Sequence, residues 1–316
     1  MTTTMTKTRI WTLVASLIFA IALVVPAASQ QGTAPQGGVA VSSGKAGDGA
    51  TALPNRPNSL KFLVLGDFGT GDKGQYALAN IMVDFYKLFP VQMAILVGDN
   101  LYGSERPQDF KKKFETPYKP LLDGGVKFYA SLGNHDAREQ RYYKLFNMDG
   151  KLYYSYKAPK EDVRFIALES TYPVPEQVAW LEETLKSSKE AWKIVYFHHP
   201  LYSSGRTHGS DLKLRETLEP LFVKYGVSVV FTGHDHLYER MKLQQGIQYF
   251  VTGSGGALRK GDFVPNQPFS AKLVDNEQVF LAVEIFQKEM VFNAVSRSGK
   301  VVDSGLVIQR DDKPKP

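Results

Sequence analysis

Five short polar clusters in this sequence carry residue types that bind metal ions. They are Gly66-Asp67-Phe68-Gly69, Gly98-Asp99-Asn100-Leu101-Tyr102, Gly133-Asn134-His135-Asp136, His198-His199-Pro200 and Gly233-His234-Asp235-His236. Carboxylate, imidazole, amide oxygen and phenol together suit hard or borderline ions such as Fe(III), Fe(II), Zn(II) and Mn(II). The chain has six histidines. Five lie inside these clusters, and His208 follows shortly after the fourth. There is no cysteine, so thiolate metal sites, disulfides and cysteine nucleophiles are excluded. Two ions about 3.5–4 Å apart form a clamp for in-line displacement at phosphorus and lower the pKa of bound water. A carboxylate can bridge such a pair, and an aspartate between two ligand-bearing strands is well placed to do so.

Each cluster stands directly after an apolar run that reads as a buried strand. The runs are Lys61 to Leu65, Met93 to Val97, Val126 to Leu132, Lys193 to Phe197 and Val227 to Thr232. Helical spacing of apolar residues marks Tyr76 to Phe89, Val178 to Leu185 and Asp211 to Tyr225, with Pro175 and Glu176 suited to a first turn. Strand–helix alternation predicts an α/β layered fold. In open α/β sheets, ligands bind outside the carboxyl ends of the strands, so five strand ends can converge on one site. From Ile247 onward the sequence reads mostly as strands: Ile247 to Thr252, Val279 to Phe286, Met290 to Val295 and Lys300 to Ile308. A second, more antiparallel sheet is expected to hold these.

The ordered set Asp-x-Gly, Gly-Asp-x-x-Tyr, Gly-Asn-His-Asp, His-x-Pro and Gly-His-x-His resembles the calcineurin-like metallophosphoesterases, from Leu60 to roughly Arg240. The tyrosine in the second motif resembles the purple acid phosphatases, and the short chain their small, tartrate-resistant-type form. That resemblance implies a two-sheet β-sandwich flanked by helices in αββα layers. It implies a binuclear centre of Fe(III) plus a divalent ion (Fe, Zn or Mn). Asp67, Asp99, Tyr102 and His236 match the ligands of the ferric site, where a tyrosine phenolate gives the family its colour. Asp99, Asn134, His198 and His234 match the divalent site, with Asp99 bridging. His135 matches the substrate-facing histidine, and His208 resembles a further family histidine. Both would contact phosphate or protonate the leaving oxygen, a task suited to imidazole. The implied reaction is hydrolysis of phosphomonoesters by metal-bound hydroxide. A Mn- or Zn-dependent phosphodiesterase or nucleotidase would share the fold and most ligands, and Tyr102 discriminates between them. A catalytically silent secreted metal-binding protein is the reading from another class.

Ordinary uses exist for the same residues. Asp67 and Asp99 suit turns, Asn134 suits a helix cap, and Tyr102 suits packing. Strand alternation turns His199 away from its neighbour His198, so a non-ligand role is expected for it. Asp136 and Asp235 read as supports for ligands. Gly253 to Gly256 reads either as a frame for phosphate or as a plain tight loop. Arg259 and Lys260 could meet a substrate, but the favoured reading for them is solvated, as it is for Lys111-Lys112-Lys113 on a helix face.

The remainder of the chain bounds the setting. Its 316 residues, 43% hydrophobic and 22% charged, are typical of a folded globular protein. Lys7 and Arg9 precede the uncharged apolar run Ile10 to Val25, and Ala27-Ala28-Ser29 follows. This is a signal-peptide pattern, and the run is shorter than the roughly 20 residues of a membrane span. The expected organisation is a signal peptide at 1–29, a flexible Gly/Ser/Ala/Pro-rich linker at 30–59, a catalytic domain at 60–308 and a loose tail at 309–316. The expected location is secreted or periplasmic, without stable membrane insertion once the leader is removed. The net charge of +6 is compatible with a small anionic phosphate ester as partner. Nucleic acid is not an expected partner.

Overall fold

Two mixed sheets form the protein, and the apolar runs that precede the five clusters are divided between them. The computed structural model describes residues 51–309. The expected signal peptide, the linker as far as residue 50 and the tail from residue 310 lie outside the described residues. The strands are β1 (Leu60–Leu65), β2 (Met93–Val97), β3 (Lys127–Ser131), β4 (Tyr154–Lys157), β5 (Val163–Ala167), β6 (Trp192–Tyr196), β7 (Val229–Thr232), β8 (Tyr238–Met241), β9 (Gln248–Thr252), β10 (Ser270–Val274), β11 (Val279–Phe286), β12 (Glu289–Ser296) and β13 (Val301–Ile308). One sheet has the order β13-β12-β11-β1-β2-β3, the other β10-β8-β9-β7-β6-β5-β4. Strands β1, β2 and β3 run parallel, as do β5, β6, β7 and β9.

The sheets pack face to face through aromatic side chains. Phe62 of β1 meets Phe165 of β5 at 5.4 Å between ring centroids, and Phe250 of β9 meets Phe292 of β12 at 5.0 Å. Rings near these separations attract beyond their area burial. All residues of β1, β2 and β6 are buried, so these runs are continuously apolar rather than alternating.

Helices cover the outer faces. In α1 (Lys73–Leu88), Leu78, Ala79, Met82 and Phe85 form the buried stripe, and Phe85 packs on Phe280 of β11. Asp72 caps it by accepting from the Gln75 amide at 3.0 Å, a contact worth about 1 kcal/mol. Short helices α2 (Pro107–Phe110) and α3 (Lys119–Asp123) flank a π-helical turn at Lys111–Glu115. On the other sheet lie α4 (Pro175–Ser187) and α5 (Leu212–Lys224). Leu181 and Leu185 of α4, and Leu214, Leu218 and Phe222 of α5, share a cluster with Ile166, Val195 and Phe197. The result is the expected αββα arrangement. Among the described residues, no helix is long and apolar enough to cross a membrane.

Three expectations are corrected. The strands from Val279 onward do not build the second sheet. Instead β11 pairs antiparallel with β1, Leu60 opposite Ile285, and carries β12 and β13 into the first sheet. A strand buried on both faces has no side-chain alternation that names its neighbour, so pairing was not readable. The linker expected to reach residue 59 is packed from Thr51 onward. Leu53 is 1% exposed within the core, and Glu284 of β11 accepts from the Asn55 and Arg56 amides at 2.6 Å each. The lysine run is not uniformly solvated, because Lys113 is buried.

Candidate metal centre

All five clusters meet at one rim, three from the first sheet and two from the second. The parallel strands end here, and β1, β2 and β7 end in sharp turns. Asp67, Asp99 and His234 adopt left-handed backbone at φ of 54°, 49° and 73°. Such conformations are strained for non-glycine residues and cluster at functional sites. Gly98 precedes Asp99 at φ 91°, where an added Cβ would lie 2.6 Å from His198 Nδ1. Only glycine allows that approach. The Asp67 turn is clasped by the glycine loop, since the amides of Gly256 and Ala257 both donate to the Asp67 carbonyl at 3.1 and 2.8 Å. The 253–256 loop is therefore a structural frame for the site, and these amides are already engaged.

The side chains form two adjoining groups. In the first, Asp67 Oδ1 lies 3.2 Å from Tyr102 Oη and 3.4 Å from His236 Nε2, and Tyr102 Oη lies 3.0 Å from the same His236 nitrogen. Asp99 joins them: one ligand atom each from Asp67, Asp99 and His236 falls within 4.8 Å of the others. In the second, His198 Nε2 lies 3.1 Å from Asn134 Oδ1, 3.1 Å from His234 Nδ1 and 3.4 Å from Asp99 Oδ1. Asp99 therefore stands between the two groups.

The chemistry of these contacts fits a cation. His198 Nδ1 faces the Val97 carbonyl at 3.0 Å, which can only accept, so that nitrogen carries the proton. Its Nε2 is then a bare lone pair aimed at two oxygens and another imidazole nitrogen. At most one hydrogen, on His234 Nδ1, can serve this convergence. Electrostatics agree. Burial, followed by the Asp99 charge, holds the Asp67 carboxyl well above the usual range, and burial raises Asp99 too. Burial lowers His198, His234 and His236, the last to about 4. Burial and then the two carboxylates push the Tyr102 phenol far up. The ion-pair-range neighbours of the carboxylates are His236 and His198 rather than lysine or arginine. Bound cations reverse this logic, favouring carboxylate, phenolate and neutral imidazole together. The residues present fit two ions.

Supports hold the groups in place. Asp136 accepts from the amides of Gly133, Asn100 and Leu101 at 2.9–3.0 Å, tying the second cluster to the third. Asp235 accepts from Ser203 Oγ and the Gly209 amide, fastening the loop that bears His208. His199 is not among the converging atoms. Its Nδ1 meets Ser170 Oγ at 2.9 Å, and its ring packs on His234 at 4.3 Å.

Two exposed imidazoles flank the groups. The His135 ring lies 4.9 Å from that of Tyr102, its amide held by Asp99 Oδ1. The His208 ring lies 4.0 Å from that of His234.

Two residues at the site read as solvated in the sequence. Arg259 is not simply solvated, because its Nη1 lies 3.0 Å from His208 Nε2 and its amide donates to the His236 carbonyl. Lys113 Nζ donates to the carbonyls of Tyr102 and Ser104 at 2.6 and 3.0 Å. Nothing in a run of three lysines distinguishes the one that turns inward.

Comparison with known proteins follows the same lines. The calcineurin-like phosphoesterase family matches residues 60–238. Purple acid phosphatase 17 of Arabidopsis thaliana is 30% identical over 245 residues, covering 66% of this chain and 71% of that protein. Tartrate-resistant acid phosphatase type 5 of Homo sapiens is 26% identical over 300 residues, covering 80% and 90%. Among solved structures, purple acid phosphatase PPD1 from yellow lupin superposes with a TM-score of 0.68 at 20% identity, covering 82% of this chain and 55% of that one. GAP50, described as the anchor in the inner membrane complex of Plasmodium, superposes with a TM-score of 0.69 at 23% identity, covering 81% and 90%. These two likenesses speak to the fold alone. The family match spans more than half of the sequence, and the chain therefore belongs to the calcineurin-like phosphoesterases, hydrolases among which its curated relatives are acid phosphatases.

Proposed function

We propose that this phosphoesterase is a secreted acid phosphatase that hydrolyses phosphomonoesters at a binuclear centre. The observation that carries the reading is the convergence of His198 Nε2, Asn134 Oδ1, His234 Nδ1 and Asp99 Oδ1 beside the Asp67–Tyr102–His236 group. Asp67, Asp99, Tyr102 and His236 would hold Fe(III); Asp99, Asn134, His198 and His234 would hold a divalent iron, zinc or manganese ion. Bound there, the ions supply positive charge to the phosphoryl oxygens and acidify water. Export rests on the leader pattern around Lys7, Arg9 and Ala27 to Ser29.

The chain's own side chains then divide the work. His135, exposed beside Tyr102, is the proton donor to the leaving oxygen. His208 stands beside His234. Its Nε2 accepts from Arg259, and burial and then the Arg259 charge lower its pKa. A neutral, hydrogen-bonding His208 suits orientation of the phosphate more than proton transfer. Arg259 adds a fixed positive charge at that edge.

The test is metal analysis with a visible spectrum, then assay of a chromogenic monoester before and after chelation. Tyr102→Phe should bleach the visible band, and His198→Ala should lower activity more than about 100-fold. Full activity in a verified metal-free sample sinks the reading. A colourless, fully active protein would instead favour a Mn- or Zn-dependent relative acting on diesters.

A further inference from the structure

A groove of about 800 Å³ is lined by none of the residues of the five clusters, and the reaction does not use it. Its walls include Arg138, Arg141, Lys151, Tyr142, Tyr153 and Trp180. Its place follows from topology. Strand β4 runs antiparallel to β5, with Tyr154 opposite Ala167, so the start of β4 lies at the end of the sheet where β5 and β6 finish. Tyr154 Oη donates to the Ala130 carbonyl of β3 at 2.7 Å, joining the edge strands of the two sheets there. One wall begins at Arg138, three residues after His135, so their Cα atoms are at most about 11 Å apart. The other wall, Trp180 on α4, follows the loop whose Ser170 touches His199. The groove therefore opens at the same rim as the metal centre.

Its chemistry is specific. Three cations stand against one acid, Glu139, which lies 3.9 Å from Arg141. Arg138 and Lys151 make no ion pair with another described residue. Arg141 is fixed in the wall: its Nη1 donates to the Arg138 carbonyl, its Nη2 donates to Tyr142 Oη, and its guanidinium lies 4.4 Å from the Tyr142 ring centre. Tyr142 is 64% exposed. Tyr153 and Trp180 form a half-buried aromatic pair at 5.0 Å. Cations beside accessible aromatic rings are the combination that recognises phosphates joined to a base, by charge-assisted hydrogen bonds and by stacking. The volume matches that of small-molecule sites.

We propose that this groove is a subsite for the distal part of a nucleoside polyphosphate, with the base stacked on Tyr153 and Trp180 and the inner phosphates met by Arg138, Arg141 and Lys151. The terminal phosphoryl group would then reach the metal centre past His135. This last clause rests on the proposed phosphatase reading; the groove's affinity does not.

Two measurements separate them. The first titrates the full, metal-loaded chain with the methylene-bridged analogue of ATP, following tryptophan fluorescence. The full chain has three tryptophans, Trp11, Trp180 and Trp192; Trp192 is fully buried, and quenching that is lost in Trp180→Phe but kept in Trp11→Phe reports the groove. Inorganic tripolyphosphate should bind at least about fivefold more weakly, since stacking is absent. The second compares KM for ATP and for glycerol phosphate in Arg138→Gln/Lys151→Gln. KM for ATP should rise about tenfold with kcat kept, and KM for glycerol phosphate should not move. No quenching by the analogue, equal affinity for tripolyphosphate, or equal KM shifts for both substrates would overturn the subsite. Quenching without hydrolysis of either substrate would uphold the groove and overturn the phosphatase reading.

Discussion

At the scale of single residues, the centre depends on lone pairs made to face one another. The Val97 carbonyl sets the tautomer of His198, and burial keeps the ring neutral. A backbone carbonyl thus leaves an ordinary buried histidine with a bare Nε2 lone pair facing the convergence. Tyr102 has a comparable support in Lys113, whose ammonium ties together the Tyr102 and Ser104 carbonyls. Lys113→Met keeps the apolar stem but removes the charge-assisted bonds, a loss of about 2 kcal/mol in stability. Metal analysis of the variant should show selective loss of the ion beside Tyr102, with the ion at His198 and His234 retained. Equal loss of both would assign Lys113 to general stability alone.

At the scale of elements, the edge of the second sheet is pinned by one carboxylate. Glu190, just before β6, receives Lys157 of β4 and Arg164 of β5 at 2.8 Å each, and Ser188 Oγ at 2.6 Å. It is 3% exposed. Burial opposes its charge, but the bonds from Lys157, Ser188 and Arg164 outweigh that and hold its pKa below the ordinary range. A folded-state pKa below the unfolded value of about 4.3 means stability present above that pH and lost as pH falls beneath it. Glu190→Gln should cost about 2 kcal/mol at pH 7. Urea unfolding of both proteins at pH 7 and pH 3 checks the sign, because the gap should narrow at pH 3. An unchanged gap would mean that packing, not ionisation, pins the edge.

At the scale of the whole molecule, the folded unit is larger than the stretch that carries motifs. Residues 51–59 cross the first sheet, with Leu53 in the core and the Asn55 and Arg56 amides on Glu284. Leu53→Ala should lower stability by about 3 kcal/mol in denaturant unfolding. An effect below about 0.5 kcal/mol would restore the view of this segment as a linker. The sandwich needs this strap because β11 has both faces covered, and the buried Glu284 carboxylate requires donors.

The sequence by itself determined the donor types, their order and their position after strands. Asp67, Asp99, Asn134, His198, His234 and His236 stand out because glycine turns and apolar runs leave a local pattern of hydrophobicity and conformational need. The helices with capped, periodic faces were legible for the same reason. Tertiary structure alone decided the pairing of β11 with β1, because a strand buried on both faces has no alternation to specify its partner. It alone decided that the second and third clusters share Asp136, that Arg259 meets His208, and that Lys113 rather than Lys112 turns inward. These contacts join residues distant in sequence, and one side chain's type cannot specify which distant backbone it will meet. The two candidate groups were therefore readable as a list of donors; that Asp99 stands between them, with His135 against Tyr102 and His208 against His234, is a property of two sheets ending at one rim.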